Sequence, residues 1–133
     1  MASTITSTMA GLPSEARRAQ EGHDPKKACR GSPGNGIGVG VVGATIAGGG
    51  ATNLFSAPHP NAVLDDFGAI GGGQKNTAGF QSNVAGGAEN SASGGSSSVG
   101  GGLHNTASGL ASTVGGGNLN VASGRDATVP GVY

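Results

Sequence analysis

A recurrence of 14 or 15 residues runs through the second half of this chain, and it limits the folds open to it more than any other feature. Ile70, Val84, Val99, Val114 and Val129 follow one another at steps of 14, 15, 15 and 15. Each stands before a small, Gly-rich triplet: Gly71-Gly72-Gly73, Ala85-Gly86-Gly87, Gly100-Gly101-Gly102, Gly115-Gly116-Gly117 and the degraded Pro130-Gly131-Val132. Asn76, Asn90, Asn105 and Asn120 recur in phase with them, as do Ala78, Ala92, Ala107 and Ala122. Gly79, Gly94, Gly109 and Gly124 keep step to within one residue, the short step falling where the chain reads Asn-Thr-Ala-Gly at 76–79. Four features in phase over successive copies are more than a Gly-rich composition produces by chance.

A looser copy, Thr45-Ile46-Ala47-Gly48-Gly49-Gly50, lies upstream. Its Ile46 precedes Ile70 by 24 residues, which predicts a loop insertion over about 51–62 containing Phe55, Pro58, His59 and Pro60. Before it, Ile37, Val39 and Val41 alternate with glycine, as a first strand would.

A period of 15 is too long for a heptad and too short for a helical-hairpin repeat. It suits one coil of two short strands joined by tight turns, successive coils stacking about 4.8 Å apart through parallel backbone hydrogen bonds. The expected fold is therefore all-β, a parallel β-roll or β-solenoid of 14–15-residue coils. Its core is thin, because the inward positions offer only Val, Ile, Ala and Ser; Ser82, Ser97, Ser112 and Ala127 form one matching small row. Glycine is expected at corners that need φ > 0 and where backbones approach closely. The recurrent Asn has two structural readings, a left-handed turn residue or an amide ladder between coils. The domain reading is an N-terminal tail over 1–30, with a short helix over 13–20 conceivable in it, and a solenoid over 31–133.

Composition and charge remove several function classes. Lys plus Arg and Asp plus Glu number 7 each, so a nucleic-acid partner held by phosphate neutralisation is not expected. Cys29 is the single cysteine, which excludes an intrachain disulfide. Met1–Leu12 lacks a basic start and a sustained apolar run, so no signal peptide is recognised. The stretch Ile37–Ala51 is too short and too Gly-laden for a membrane span. So small a core with so much glycine makes an isolated monomer marginal, and self-association is expected.

The pattern Val-Gly-Gly-Gly-x-x-Asn-x-Ala-Ser-Gly-x-x-Ser-Thr, complete from Val99 to Thr113, resembles the head repeats of YadA-like trimeric autotransporter adhesins. Similar repeats occur in other bacterial surface proteins and phage tail fibres. The resemblance spans about 36–129 and implies a left-handed parallel β-roll, a homotrimer, and display outside the cell or on its surface. It further implies a structural or adhesive role toward a host or surface ligand, with binding spread over outward residues such as Lys75, Glu89, Leu103, His104, Leu110 and Leu119. No stalk heptads or anchor barrel accompany the repeats, as in a head fragment.

Catalytic readings find little purchase. Gly38-Val39-Gly40-Val41-Val42-Gly43 satisfies G-x-G-x-x-G, but a dinucleotide site needs a helix directly after it, and Ala44–Asn53 is Gly-rich. His23, His59 and His104 are scattered, and Asp65-Asp66 reads as a solvated turn. No catalytic, cofactor-binding or metal-ligating residue is assigned. A solenoid acyltransferase would need hexapeptide turns and a committed His, and neither is present. An ice- or surface-binding solenoid would present a regular Thr row; Thr113 and Thr128 fit it, while Ser98 and Asn83 interrupt it.

Overall fold

The computed structural model describes residues 28–133; the tail reading and the possible helix over 13–20 fall mainly on residues outside that range. The described chain has no helix. Its strands are short: β1 Ala28–Cys29, β2 Gly36–Ile37, β3 Thr45–Ile46, β4 Ala51–Leu54, β5 Ala57–His59, β6 Ala62–Val63, β7 Ala69–Ile70 and β8 Thr77–Ala78. They continue as β9 Asn83–Val84, β10 Ser91–Ala92, β11 Ser98–Val99, β12 Thr106–Ala107, β13 Thr113–Val114, β14 Val121–Ala122 and β15 Thr128–Val129.

Alternate strands stack into two parallel sheets. One holds seven strands in the order β1-β3-β7-β9-β11-β13-β15, the other six in the order β14-β12-β10-β8-β6-β2. The chain thus climbs as a β-solenoid, visiting each sheet once per coil. Register follows the repeat: Val84 pairs with Val99 and Val99 with Val114, while Ala78, Ala92, Ala107 and Ala122 pair in series across the other sheet. The 14-residue step is absorbed at the turn from β8 to β9. There Gly79 alone donates to Ala92 O, whereas in the next coil both Ser93 and Gly94 donate to Ala107 O.

Two-residue strands bury one residue and expose the other. Ile46, Ile70, Val84, Val99 and Val114 point inward from the seven-stranded sheet, and Val63, Ala78, Ala92, Ala107 and Ala122 meet them from the six-stranded one. Branched side chains on one wall face alanines on the other, so the two sheets lie close with a single layer of methyl groups between them. Val129 and Cys29 pack against the ends of this core. Cys29, on a strand that begins before Gly31, extends the solenoid into the segment read as tail.

The expected insertion is a β-hairpin. β4 and β5 pair antiparallel, and their turn residues Phe55 and Ser56 both have positive φ, 50° and 63°. Ile37, Val39 and Val41 do not form the continuous alternating strand the sequence suggests. Gly40 turns the chain at φ 79°, leaving Val39 fully exposed and swinging Val41 into the core.

Glycine takes left-handed backbone at the corners as the sequence suggests, at Gly73, Gly87, Gly102 and Gly117 with φ between 78° and 91°, but not at all of them. Left-handed backbone is taken at Lys75, Glu89, His104 and Leu119, with φ between 52° and 60°, each directly before a repeat Asn. A second set, Phe67, Gln81, Ser96, Ala111 and Asp126, does the same at the opposite corner. Each such non-Gly residue costs roughly 1–2 kcal/mol. The cost is met by hydrogen bonding between coils: Glu89, His104 and Leu119 donate their N–H groups back to Gln74, Ala88 and Leu103.

Candidate functional surfaces

The repeat asparagines are inside the solenoid. Asn76, Asn90, Asn105 and Asn120 are 0–5% exposed and none has positive φ, so of their two structural readings the amide ladder is the one observed. The Oδ1 of one Asn accepts the backbone N–H of the next: Asn76 to Asn90, Asn90 to Asn105 and Asn105 to Asn120, at 2.9–3.0 Å. Each Nδ2 uses its two hydrogens on two carbonyls, one four residues back and one in the next coil. For Asn105 these are Gly101 O and Gly117 O, both at 2.9 Å. The corner after the Gly triplet is thereby stitched both within and between coils, and a buried amide is left with no unused donor.

The ladder is longer than the repeat suggested. Asn35 Oδ1 accepts the Asn61 N–H at 2.8 Å, and Asn61 Oδ1 accepts that of Asn76 at 3.0 Å. Sequence reasoning missed both residues. Asn61 stands 15 residues before Asn76, a signal that was available; Asn35 is hidden by the hairpin between it and Asn61.

A second, weaker ladder runs along the other corner. Ser82 Oγ donates to Gly94 O at 2.6 Å and lies 3.2 Å from Ser97 Oγ. Ser112, in the same row, is fully buried and its Oγ has no partner. Ser82→Ala is therefore expected to cost about 1 kcal/mol, and Ser112→Ala to be neutral or slightly stabilising. Urea unfolding of the two variants checks this, and a larger loss for Ser112→Ala would contradict it.

The outward residues named from the sequence are exposed. Lys75 Nζ lies 3.8 Å from Glu89 Oε1, and His104 Nδ1 lies 3.2 Å from Glu89 Oε2, so exposed polar side chains of three successive coils meet along the Asn corner. Such solvent-facing pairs contribute only about 0–1 kcal/mol each. His59 sits instead on the hairpin, its Nδ1 against Ala57 O. The Asp65-Asp66 turn serves the backbone: Asp66 Oδ1 accepts the Val42 N–H at 2.9 Å. That contact lies within the G-x-G-x-x-G stretch, which no helix follows. Among the described residues, no three His, Cys, Asp or Glu converge as metal ligands. Among the described residues there is no helix long and apolar enough to cross a membrane.

Two flat faces remain. On the six-stranded sheet Thr77, Ser91 and Thr106 lie in one outward row that begins at Ala62 and ends at the exposed Val121, and Ser93, Ser108 and Ser123, two residues along, form another. The seven-stranded sheet presents Asn83, Ser98, Thr113 and Thr128. Searches of protein-family models, curated proteins and solved structures found no match to this chain.

Proposed function

We propose that this chain is a non-enzymatic structural and adhesive module, acting as a homotrimer outside the cell or on its surface in the manner of the adhesin heads its repeat resembles. The observation that carries the reading is where the polar side chains are used. The Asn ladder, with Ser82 beside it, is consumed in holding coil to coil, whereas outward residues recur with the coil along the two sheet faces. Repetition of that kind favours contact with an extended surface over binding of a small substrate in a cleft. A host or surface ligand, engaged through exposed residues such as Lys75, Glu89, Leu103 and His104, is the partner it fits; a phage tail-fibre role uses the same architecture. A solenoid acyltransferase is less well supported, since His104 is tied to Glu89 on an exposed corner.

Light scattering of the full chain is expected to give three times its mass of 12.5 kDa. A folded monomer at micromolar concentration would defeat the reading.

The hydroxyl rows favour one alternative, an ice- or surface-binding solenoid. Its face would be the six-stranded sheet, where Thr77, Ser91 and Thr106 repeat at a coil spacing of about 4.8 Å. Thermal hysteresis in dilute solution, lost in Thr106→Lys, is the expected result on that alternative; its absence from the native chain removes it.

A further inference from the structure

Independently of how copies of the chain associate, we propose that Asn35 is a site of spontaneous deamidation: Asn35-Gly36 cyclises when the first described coil opens, and the acidic product keeps that coil from closing again. Asn35 is the one asparagine in the chain with glycine after it. Asparagine is chemically labile, most of all where the next residue has no Cβ to hinder its backbone nitrogen from reaching the side-chain carbonyl carbon. The other ladder asparagines, Asn61, Asn76, Asn90, Asn105 and Asn120, all precede residues with a Cβ.

Nothing inside the coil requires glycine at position 36. Its φ is ordinary, and a Cβ there would meet nothing within 4 Å. Along the six-stranded sheet the same register position is filled in turn by Ala62, Thr77, Ser91, Thr106 and Val121. Glycine at 36 costs backbone entropy without a packing return, and what it does supply is reactivity in the residue before it.

The closed coil holds the reaction off. The nucleophile is the Gly36 nitrogen, and its N–H is bonded to Asn61 O at 3.0 Å. The electrophile is Asn35 Cγ, in an amide pinned by three more bonds. Its Nδ2 donates to Arg30 O at 2.8 Å and Gly49 O at 2.9 Å, and its Oδ1 accepts the Asn61 N–H at 2.8 Å. Opening of the coil frees all of these together. β1 and β2 are edge strands of their sheets, so among the described residues this coil is stacked on one side only. Such ends open at lower free energy than the interior.

Once the coil is open, the Gly36 nitrogen gives up its proton and attacks Asn35 Cγ. A bond forms between them, the bond from Cγ to Nδ2 breaks, and ammonia leaves a five-membered imide behind. Water opens the imide at either carbonyl, giving aspartate or an isomer whose backbone runs through the former side chain. The balance is one water taken up and one ammonia released. Neither product fits the closed corner. A carboxylate oxygen in place of Nδ2 faces Arg30 O and Gly49 O, acceptors with no donor between them. The isomer lengthens the backbone by one carbon just before β2, which takes Gly36 out of register with Ala62. A reversible opening is thereby made permanent, and the edges of β3 and β6 are left bare.

The test follows the full chain through incubation in mildly alkaline buffer, with peptide mass mapping at intervals. The first change expected is a gain of one mass unit at Asn35, as two isomers and ahead of every other asparagine. Gly36→Ala is expected to slow it by about tenfold or more with the far-UV spectrum intact, and urea to speed it in the native sequence. The modified fraction, separated by its added charge, is expected to lose amide protection at Arg30 and Gly38 while Gly100 and Gly115 keep theirs. No change at Asn35 in the native chain, another asparagine changing first, or a Gly36→Ala chain changing as fast would each overturn the site. Modified chain that still protects Arg30 and Gly38, or that loses Gly100 and Gly115 along with them, would overturn the one-way opening of this coil.

Discussion

Replacing Asn105 by alanine is expected to cost about 2–4 kcal/mol of stability, a large share of the roughly 5–15 kcal/mol that holds a domain together. The side chain is fully buried and bonds to the ladder amides on both sides of it as well as to backbone groups. Its Oδ1 accepts the Asn120 N–H at 3.0 Å, and its Nδ2 donates to Gly101 O and Gly117 O at 2.9 Å. Alanine removes all of these and leaves a small void between coils. Not every partner is orphaned, since Gly117 O also accepts the Leu103 N–H, which keeps the estimate below three full desolvation penalties.

Position along the ladder sets the gradient. Asn120 makes the same two donor contacts, to Gly116 O and Val132 O, but no described N–H is donated to its Oδ1, so Asn120→Ala is expected to cost less than Asn105→Ala. Asn105→Asp separates the roles within one residue. It retains an acceptor for the Asn120 N–H, yet sets a carboxylate against two carbonyls, and is expected to destabilise at least as much as alanine. Urea unfolding followed by far-UV circular dichroism ranks the three. Equal, small losses at positions 105 and 120 would mean that the ladder is not what holds the coils in register.

That ladder also marks how far the sequence could be read. The period, the inward Val and Ala rows, the parallel two-sheet coil and the site of the insertion were all visible, because each depends on spacing alone. Handing the Asn its job required more, since a residue 12 positions away supplies the carbonyl that distinguishes an inter-coil bond from a left-handed turn. The left-handed corners were invisible for a related reason. Lys75, Glu89, His104 and Leu119 share no preference for positive φ, and only their common place before an Asn betrays them. Val39 and Val41 misled because alternation with glycine is also what a turning segment shows when glycine is needed for the turn. Nor does residue type reveal that Ser82 is bonded and Ser112 is not, although both occupy the same row.

The other large effect is expected at Gly87, where alanine should abolish the regular coil while the same change one residue earlier leaves it standing. Gly87 has φ 85°, and a Cβ on it would land on the carbonyl oxygen of Gly102 in the next coil. The Gly102 nitrogen would lie 2.7 Å away and Asn90 Nδ2 2.8 Å away, so neither backbone nor ladder leaves room. Relief by separating the coils is blocked, because the Ala88 N–H is bonded to that same Gly102 oxygen at 2.9 Å and Asn90 Nδ2 reaches it at 2.9 Å. Overpacking of this kind costs about 1–3 kcal/mol. The left-handed conformation adds roughly 1–2 kcal/mol for a residue with a Cβ. Together these bring Gly87→Ala to a loss comparable with Asn105→Ala or greater. Gly86→Ala meets neither obstacle, since its φ is ordinary and the space around its Cβ is open. The far-UV spectrum should therefore be retained in Gly86→Ala and lost or reduced in Gly87→Ala. Amide exchange at Ala88 gives the local readout: protection should fall by several orders of magnitude in the second variant and persist in the first. Slow exchange at Ala88 in Gly87→Ala would show that the coils can part and that close backbone approach is not what reserves this position for glycine.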